Sequence, residues 1–241
     1  MFVRVKSGSP RVAPTSSLQV TLTDWLLNTV LDSQAQWRAV GLELRVSINV
    51  SGVSMGDPGL TERILSALRD RDLPTSALAI EITETAAVVA AHAVERLSPL
   101  HNAGVRVSID DFGTGYTSLS VLPKLPLNEL KVDQRFVMAA TKSSGDAAIV
   151  HAVRDLGHRL GLEVVAEGVE DNETAGLLAD IGFDVLQGFL YAKPMPEDDL
   201  IQYLDAITQN APSPLLTTGL PGSELPPATS PLPARSPQPV V

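Results

Sequence analysis

Two adjacent aspartates, Asp110 and Asp111, end an apolar alternating run and are followed by the turn sequence Phe-Gly-Thr-Gly. Other polar residues end similar runs along the chain: Asn49, Glu81, Lys131 with Asp133, Glu167 and Gln187. Carboxylate and amide oxygens, with no His or Cys among them, suit hard cations such as Mg²⁺ or Mn²⁺. Two adjacent aspartates can each face a different ion, which is the geometry of two-metal phosphoryl chemistry. The residue types therefore predict a metal site that handles phosphate.

These residues can act together only if the fold brings them to one place. Short β-branched runs predict six strands, at 44–50, 77–83, 105–111, 129–133, 163–168 and 185–190. Helical patterns lie before, between and after them, at 23–41, 57–72, 85–101, 146–160, 171–182 and 196–207. Consecutive strand and helix units predict an α/β fold with a parallel sheet. The C-terminal ends of such strands share one face, where active sites of parallel barrels are built.

Each of these residues also has a structural interpretation, and the sequence alone leaves it open. The alternatives are a strand-end turn for Asn49, an Asx turn for Asp110 and Asp111, an ion pair between Lys131 and Asp133, solvated turn positions for Glu167 and Glu170, and a backbone hydrogen bond for Gln187. Glu81 is unusual because glutamate is depleted in strands. The coincidence of all six positions with successive strand ends favours a common site.

The composition excludes several classes of function. The chain has 18 Lys and Arg against 28 Asp and Glu, a net charge of −10, so binding of DNA, RNA or an anionic membrane surface is not expected. It has no cysteine, which excludes disulfides and thiolate zinc sites and fits a reducing cytoplasm. Its apolar runs are shorter than the ~20 residues of a membrane span. None of the four histidines is followed by aspartate, so a His-Asp metal centre is not predicted.

The two ends of the chain differ in composition from its middle. Residues 1–17 are interrupted by Gly8, Pro10 and Pro14, which predicts an irregular segment. Residues 211–241 hold half of the 18 prolines and only two charged residues, so a disordered tail is expected. Residues 18–210 are therefore predicted to form the ordered domain.

Six stretches carry a family resemblance: SINVS (47–51), IEITET (80–85), SIDDFGTGYTSL (108–119), LPLNELKVD (125–133), VVAEGVED (164–171) and QGFLYAKPMP (187–196). In this order they resemble EAL domains, the bacterial cyclic di-GMP phosphodiesterases, over about residues 23–205. The resemblance implies a TIM-type barrel, often paired as a homodimer. It further implies two divalent metals, Mg²⁺ or Mn²⁺, that serve the hydrolysis of cyclic di-GMP to linear pGpG.

The resemblance also implies roles for individual residues. The implied metal ligands are Asn49, Glu81, Asp110 and Asp111, and the implied catalytic residues are Lys131 and Glu167. Gln187 would contact the site, and Asp133 would support Lys131. Glu84 would brace the loop that follows the aspartate pair and leads to the dimer face, which comprises Phe112, Gly113, Thr114, Gly115 and Tyr116.

The chain departs from the family at its front. EAL domains carry Glu-Ala-Leu on an early strand, preceded by a strand with a Gln-Pro pair, and neither string precedes the helical pattern at 23–41. We therefore expect an N-terminally truncated barrel with about six of its eight strands and without the EAL glutamate. Activity lost or weakened by this departure is one expectation. A non-catalytic module that binds cyclic di-GMP or a signalling partner is the alternative.

Overall fold

The structure is a computed structural model that describes residues 2–5, 16–89, 93–114, 121–210 and 238–240. The chain forms two compact units. The first comprises Met1–Ala192 with Ser236–Val241, and the second comprises Lys193–Arg235. Every described strand belongs to the first unit, which therefore contains all of the predicted strand-end residues.

The first unit is built around one parallel sheet. Its strands are β1 (Phe2–Val5), β2 (Arg45–Asn49), β3 (Leu78–Thr83), β4 (Arg106–Phe112), β5 (Glu129–Val132), β6 (Glu163–Ala166), β7 (Val185–Gln187) and β8 (Gln238–Val240). They follow one another in sequence order across the sheet, and each neighbouring pair is parallel. The six strands predicted from sequence are confirmed as β2 to β7, with ends that differ by at most three residues.

Helices connect these strands. They are α1 (Ser16–Ala39), α2 (Gly52–Met55), α3 (Leu60–Arg69), α4 (Glu84–Val89), α5 (Ala93–Ala103), α6 (Gln134–Ala140), α7 (Ser144–Arg159) and α8 (Asn172–Ile181). The second unit contributes α9 (Glu197–Asn210), which opens with acidic residues that favour a helix N-terminus. Among the described helices, none has the length and apolarity to cross a bilayer.

Two short edge strands depart from the expectations for the chain ends. Phe2–Val5 pairs with β2, and Gln238–Val240 pairs with β7. The bounds of the irregular N-terminal segment and of the disordered tail stay predictions. At these few positions, pairing with a neighbouring strand satisfies backbone groups that local sequence cannot. A Gln-Pro pair does occur in the chain, at Gln238 and Pro239, on the edge strand β8.

The two faces of the sheet differ in chemistry because side chains alternate along each strand. One face carries fully buried apolar residues such as Ile48, Ile80 and Ile109. The opposite face carries the polar residues, and hydrogen bonds between them join neighbouring strands, as between the Ser108 hydroxyl and Glu129 Oε1 at 2.9 Å. Polar side chains at alternate positions therefore accumulate on one face of the sheet.

Charged residues at the starts of the strands form an ion-pair group on this polar face. Arg106 Nη2 contacts the Glu163 carboxylate and lies 3.6 Å from Glu129 Oε2. Burial raises the pKa of the Glu129 carboxyl above its usual value of 4.5, and Lys131, Ser108 and Arg106 oppose that rise. This group lies at the opposite ends of the strands from Glu167 and the Asp110 and Asp111 pair.

Replacing Arg106 by methionine should lower the free energy of unfolding at pH 8 by about 1–3 kcal/mol, since two carboxylates lose their shared cation. When folding raises the pKa of a carboxyl, the protein becomes less stable as the pH rises from the pKa of the unfolded state to the pKa of the folded state. Loss of Arg106 should raise the folded-state pKa of Glu129 further. The resulting loss of unfolding free energy should therefore be smaller at pH 5 than at pH 8. Urea unfolding at both pH values tests this, and a penalty that is equal or larger at pH 5 would contradict it.

Candidate active site

The strand ends bring the predicted site residues to one edge of the polar face. Asn49 on β2 is in register with Glu81 on β3, and Thr83, two residues further on, is in register with Asp110 on β4. Glu81 and Asp110 are almost completely buried. Such carboxylates require partners, because burial of an unpaired charge is very costly.

Lys131 supplies a partner for both of these carboxylates and for Glu167. Its Nζ lies 3.1 Å from Glu81 Oε1 and 3.3 Å from Asp110 Oδ1, and it also contacts Glu167 Oε1. The Lys131 side chain is only 2% exposed, so these contacts are shielded from solvent. One ammonium group therefore joins carboxylates from β3, β4 and the end of β6.

Three carboxylates form a candidate cation site beside this lysine. Asp110, Asp111 and Glu167 each offer an oxygen within 4.8 Å of the other two. These residues are acidic oxygen donors, the kind of ligand set that hard divalent cations take. Their spacing and chemistry fit a cation, because three anionic oxygens this close repel one another unless positive charge lies between or beside them.

The backbone around the aspartate pair adopts an unusual conformation. Asp111 has φ +55°, in the left-handed region that few non-glycine residues adopt. The register between β4 and β5 shifts between Ile109 and Phe112, as at a β-bulge. The bulge changes the direction of the strand where the two aspartates lie. This explains how the side chains of adjacent residues both reach the cluster of three carboxylates.

Another buried glutamate, Glu84, holds the turn that follows the pair. Glu84 Oε2 accepts a 3.0 Å hydrogen bond from the Gly113 N–H, and Glu84 is 3% exposed. The Thr114 N–H in turn donates to the Asp111 carbonyl. The bracing role expected for Glu84 agrees with this geometry as far as Thr114, whereas Gly115 and Tyr116 lie outside the described residues.

The described contacts of Asp133 are with the start of α6. It caps α6, with Oδ1 accepting from the Arg135 N–H at 2.8 Å and from Arg135 Nε at 2.9 Å. Within the described part of the chain, its recorded side-chain partner is Arg135 and not Lys131. β5 ends at Val132, so Asp133 no longer follows the alternation of the strand. Its expected support of Lys131 stays a prediction.

Gln187 ends β7, and its carbonyl accepts a hydrogen bond from the Val169 N–H. Its side chain is half-buried. Asn49 is also half-buried, at the end of β2. Both residues therefore lie at the ends of strands, as the sequence predicts. Their roles toward a metal or substrate stay predictions.

Sequence reasoning missed one element at the site, the short helix α6. Asp133 followed by Gln-Arg-Phe is a helix-start signal, because aspartate is a favoured N-cap. It also missed the ion-pair group of Arg106, Glu129 and Glu163. The alternation of side chains could have found that group, since Glu129 lies two residues before Lys131 and therefore shares its face.

Comparison with known sequences gives a consistent result. The sequence profile of the EAL domain matches residues 10–194. A bifunctional diguanylate cyclase/cyclic di-GMP phosphodiesterase of Pseudomonas aeruginosa, MucR, is 38% identical over 195 residues, which cover 79% of this chain and 28% of that protein. The chain spans between 24% and 33% of the length of the curated relatives it matches.

Solved structures match as well. A complex of the phosphodiesterase PaMucR with c-di-GMP has a TM-score of 0.72 and 38% identity, covering 77% of this chain and 76% of that one. The EAL domain of Mycobacterium smegmatis DcpA has a TM-score of 0.72 and 38% identity, covering 78% of this chain and 86% of that one. These matches confirm the predicted α/β barrel class. With its parallel strands in sequence order, its strand-end carboxylates and the profile match over residues 10–194, this chain belongs to the EAL domain family.

Proposed function

We propose that this chain is a metal-dependent phosphodiesterase that hydrolyses cyclic di-GMP to linear pGpG. The proposal rests on the contacts of the Lys131 ammonium group with Glu81, Asp110 and Glu167. These contacts lie beside the cluster of three carboxylates that Asp110, Asp111 and Glu167 form. Buried charges gathered from several strands are costly for the fold and are typical of functional sites. Relatives named as cyclic di-GMP phosphodiesterases supply the substrate class.

The carboxylates of Asp110, Asp111 and Glu167 would hold divalent cations, with Glu81 and Asn49 completing the ligand set from β3 and β2. Mg²⁺ or Mn²⁺ are the ions we propose, because both prefer oxygen ligands. When bound, such ions lower the pKa of a coordinated water and offset the charge of a phosphodiester. An anionic substrate could not otherwise approach a pocket with this excess of carboxylates.

The residues of the chain would then orient the reaction. Glu167 would accept a proton from the attacking water, and Lys131 would hold Glu167 in place while its ammonium faces the phosphate. The water oxygen bonds to one phosphorus, the bond from that phosphorus to the 3′ oxygen breaks, and the leaving oxygen gains a proton. Hydrolysis of one ester opens the ring and yields pGpG.

Turnover of cyclic di-GMP by the full chain tests this proposal. Chromatography should show pGpG accumulating with Mn²⁺ or Mg²⁺ present and no product after the metal is removed with EDTA. Product formation that EDTA leaves unchanged would contradict the metal-dependent chemistry. No pGpG under any metal condition, while a full EAL enzyme turns over in parallel, would contradict hydrolysis by this chain.

One observation favours a second function, a non-catalytic module that binds cyclic di-GMP. The 241 residues contain no Glu-Ala-Leu string, and loss of one carboxylate ligand weakens metal catalysis more than it weakens nucleotide binding. Calorimetry separates the two functions: binding of cyclic di-GMP without turnover supports the module, and turnover supports the phosphodiesterase.

The remaining expectations are part of the same proposal. The loop from Phe112 through Tyr116, held at Gly113 by Glu84, would link the site to the face of a homodimer. The protein would act in the bacterial cytoplasm, where cyclic di-GMP signalling takes place, and would bind neither DNA nor RNA. Light scattering with and without Mn²⁺ and cyclic di-GMP would test the dimer.

A further inference from the structure

The first turn of α6 lies between the two loops that carry the candidate metal ligands. β5 is the central strand of three, with β4 on one side and β6 on the other. The chain leaves β5 at Val132 and enters α6 directly, with Asp133 as the cap. The first residues of α6 therefore lie between the end of β4, which carries Asp110 and Asp111, and the end of β6, which carries Glu167.

On the β4 side, α6 contacts the glycine that follows the aspartate pair. Gly113 has φ +98°, and a Cβ built on it would lie 2.7 Å from Phe136 Cε2. This separation is shorter than any real contact of a Cβ atom, so the Phe136 ring fills the space where a side chain would be. The backbone two residues after Asp111 therefore packs directly against an α6 side chain.

On the β6 side, a matching contact exists. Gly168, which follows Glu167, has φ +72°, and a Cβ built on it would lie 2.4 Å from Gln134 Cβ. The Glu167 N–H also donates to the Val132 carbonyl at 3.1 Å, which ties this backbone to the end of β5. The residue after Glu167 is thus packed against α6 just as the turn after Asp111 is.

We propose that the first turn of α6 is a spacer that sets the separation between the aspartate pair and Glu167. Phe136 and Gln134 are then positioning residues: they touch the backbone of Gly113 and Gly168, and through it they fix where the three carboxylates lie. The inference rests on the proposed function in one respect, since it takes those carboxylates to be metal ligands. Groups that orient metal ligands typically change affinity by about 10–100-fold when they are removed.

The spacer contacts are separable from the contacts that hold α6 on the core. Val137 and Ala140 are the buried residues of α6, whereas Gln134 is exposed and Phe136 only half-buried. Changes at Gln134, at Phe136 or at the glycines should therefore alter the carboxylate geometry more than they alter folding. A purely structural role would change stability and leave metal affinity unchanged.

Mn²⁺ titration of the full chain, followed by electron paramagnetic resonance, measures that affinity directly. Replacing Phe136 by alanine removes the support under Gly113 and should weaken Mn²⁺ binding about tenfold. Phe136→Leu, which keeps an apolar side chain, should recover part of the affinity. Met138→Ala is the matched control, because Met138 is an exposed apolar residue of the same helix and should bind Mn²⁺ like the wild type.

Gly168, on the β6 side of α6, allows a test with a more closely matched control. Gly168→Ala places a Cβ against Gln134 and should push Glu167 away, again weakening Mn²⁺ binding about tenfold. Gly161 has a similar φ of +74° but a Cβ there would meet nothing within 4 Å, so Gly161→Ala carries the backbone strain without the overlap and should keep wild-type affinity. Adding Gln134→Gly to Gly168→Ala removes the overlapping Cβ and should restore affinity in part.

The outcomes are distinguishable from failure of the proposed function. If the wild type binds Mn²⁺ and all of the spacer variants bind it equally well, the spacer proposal is wrong and the metal site stands. If Gly161→Ala and Gly168→Ala lose affinity to the same extent, strain rather than spacing is responsible, and the proposal is also wrong. If the wild type binds no Mn²⁺, the metal site and its spacer are both contradicted. Circular dichroism identifies any variant that is unfolded, and Phe136→Leu then replaces Phe136→Ala in the comparison.

Discussion

Replacement of Lys131 by methionine is expected to lower the free energy of unfolding of the metal-free protein by about 3–5 kcal/mol. Methionine keeps the length and apolar stem of the side chain but removes the ammonium group. Glu81, Asp110 and Glu167 would then share a buried region without the cation that contacts all three. Removal of one partner from a buried ionic group is costly because it leaves uncompensated charge, and here three carboxylates are left at once. Urea unfolding of the full chain measures the effect.

Lys124→Met is the matched control, since Lys124 is exposed and exposed charges contribute less than about 1 kcal/mol.

Mn²⁺ provides a further check on the effect of Lys131→Met. A cation that binds the folded state stabilises it by an amount that grows with the logarithm of its concentration, to about 2.7 kcal/mol at 100 times its dissociation constant. Mn²⁺ should therefore stabilise Lys131→Met more than it stabilises the wild type. Equal unfolding midpoints for wild type and Lys131→Met would contradict the central position of this lysine.

Replacement of Asp110 by asparagine should reduce the hydrolysis of cyclic di-GMP at least about 100-fold. Loss of a group that only orients a metal ligand costs up to about 100-fold, and Asp110 is itself a proposed ligand. Asp110 contacts Lys131 and also belongs to the three-carboxylate group with Asp111 and Glu167. Asparagine still accepts a hydrogen bond from Lys131, but it removes one negative charge from the candidate cation site. The initial rate of pGpG formation at saturating Mn²⁺ measures the effect.

Asp180→Asn is the control for that experiment, because Asp180 is exposed on α8 and should keep the wild-type rate. The unfolding midpoint of Asp110→Asn should also stay close to that of the wild type, since one of several mutually repelling charges is removed. A rate within threefold of the wild type would show that Asp110 does not hold a catalytic metal.

The order of the sheet could be predicted from sequence because each central strand is a short β-branched run between helical patterns. Val46 and Ile48 on β2, and Ile80 and Ile82 on β3, are buried residues of this kind. The polar strand ends were predictable for the same reason, since parallel strands bring their C-terminal ends to one edge. The alternation that buries the apolar residues on one face also places Glu81 and Lys131 on the other.

Three features could not be predicted in this way. The edge strands Phe2–Val5 and Gln238–Val240 are three or four residues long, and pairing with β2 and β7 stabilises them rather than their own sequence. Helix α6 has only seven residues, which is too short for periodicity to identify it. The placement of Asp133 is the third feature, because a residue expected at the end of a strand is in fact the cap of a helix.

The contacts of Lys131 could also not be derived from the sequence pattern. Alternation along β5 placed Lys131 near Asp133, and that pair was one structural interpretation of the strand end. The tertiary structure instead brings Lys131 to residues 50 and 21 positions away in sequence, Glu81 and Asp110. Contacts of this kind depend on the register between strands, which is set by the whole sheet.

The central claim is that the strand-end carboxylates, a divalent cation and cyclic di-GMP form one site. Calorimetric titration with a hydrolysis-resistant phosphorothioate analogue of cyclic di-GMP tests it most directly, because no turnover complicates the heat. We predict binding in the presence of Mn²⁺ and at least tenfold weaker binding after EDTA treatment, since the pocket carries an excess of carboxylates that repels a dianion. Equal affinity with and without Mn²⁺, or no binding in either condition, would contradict the account.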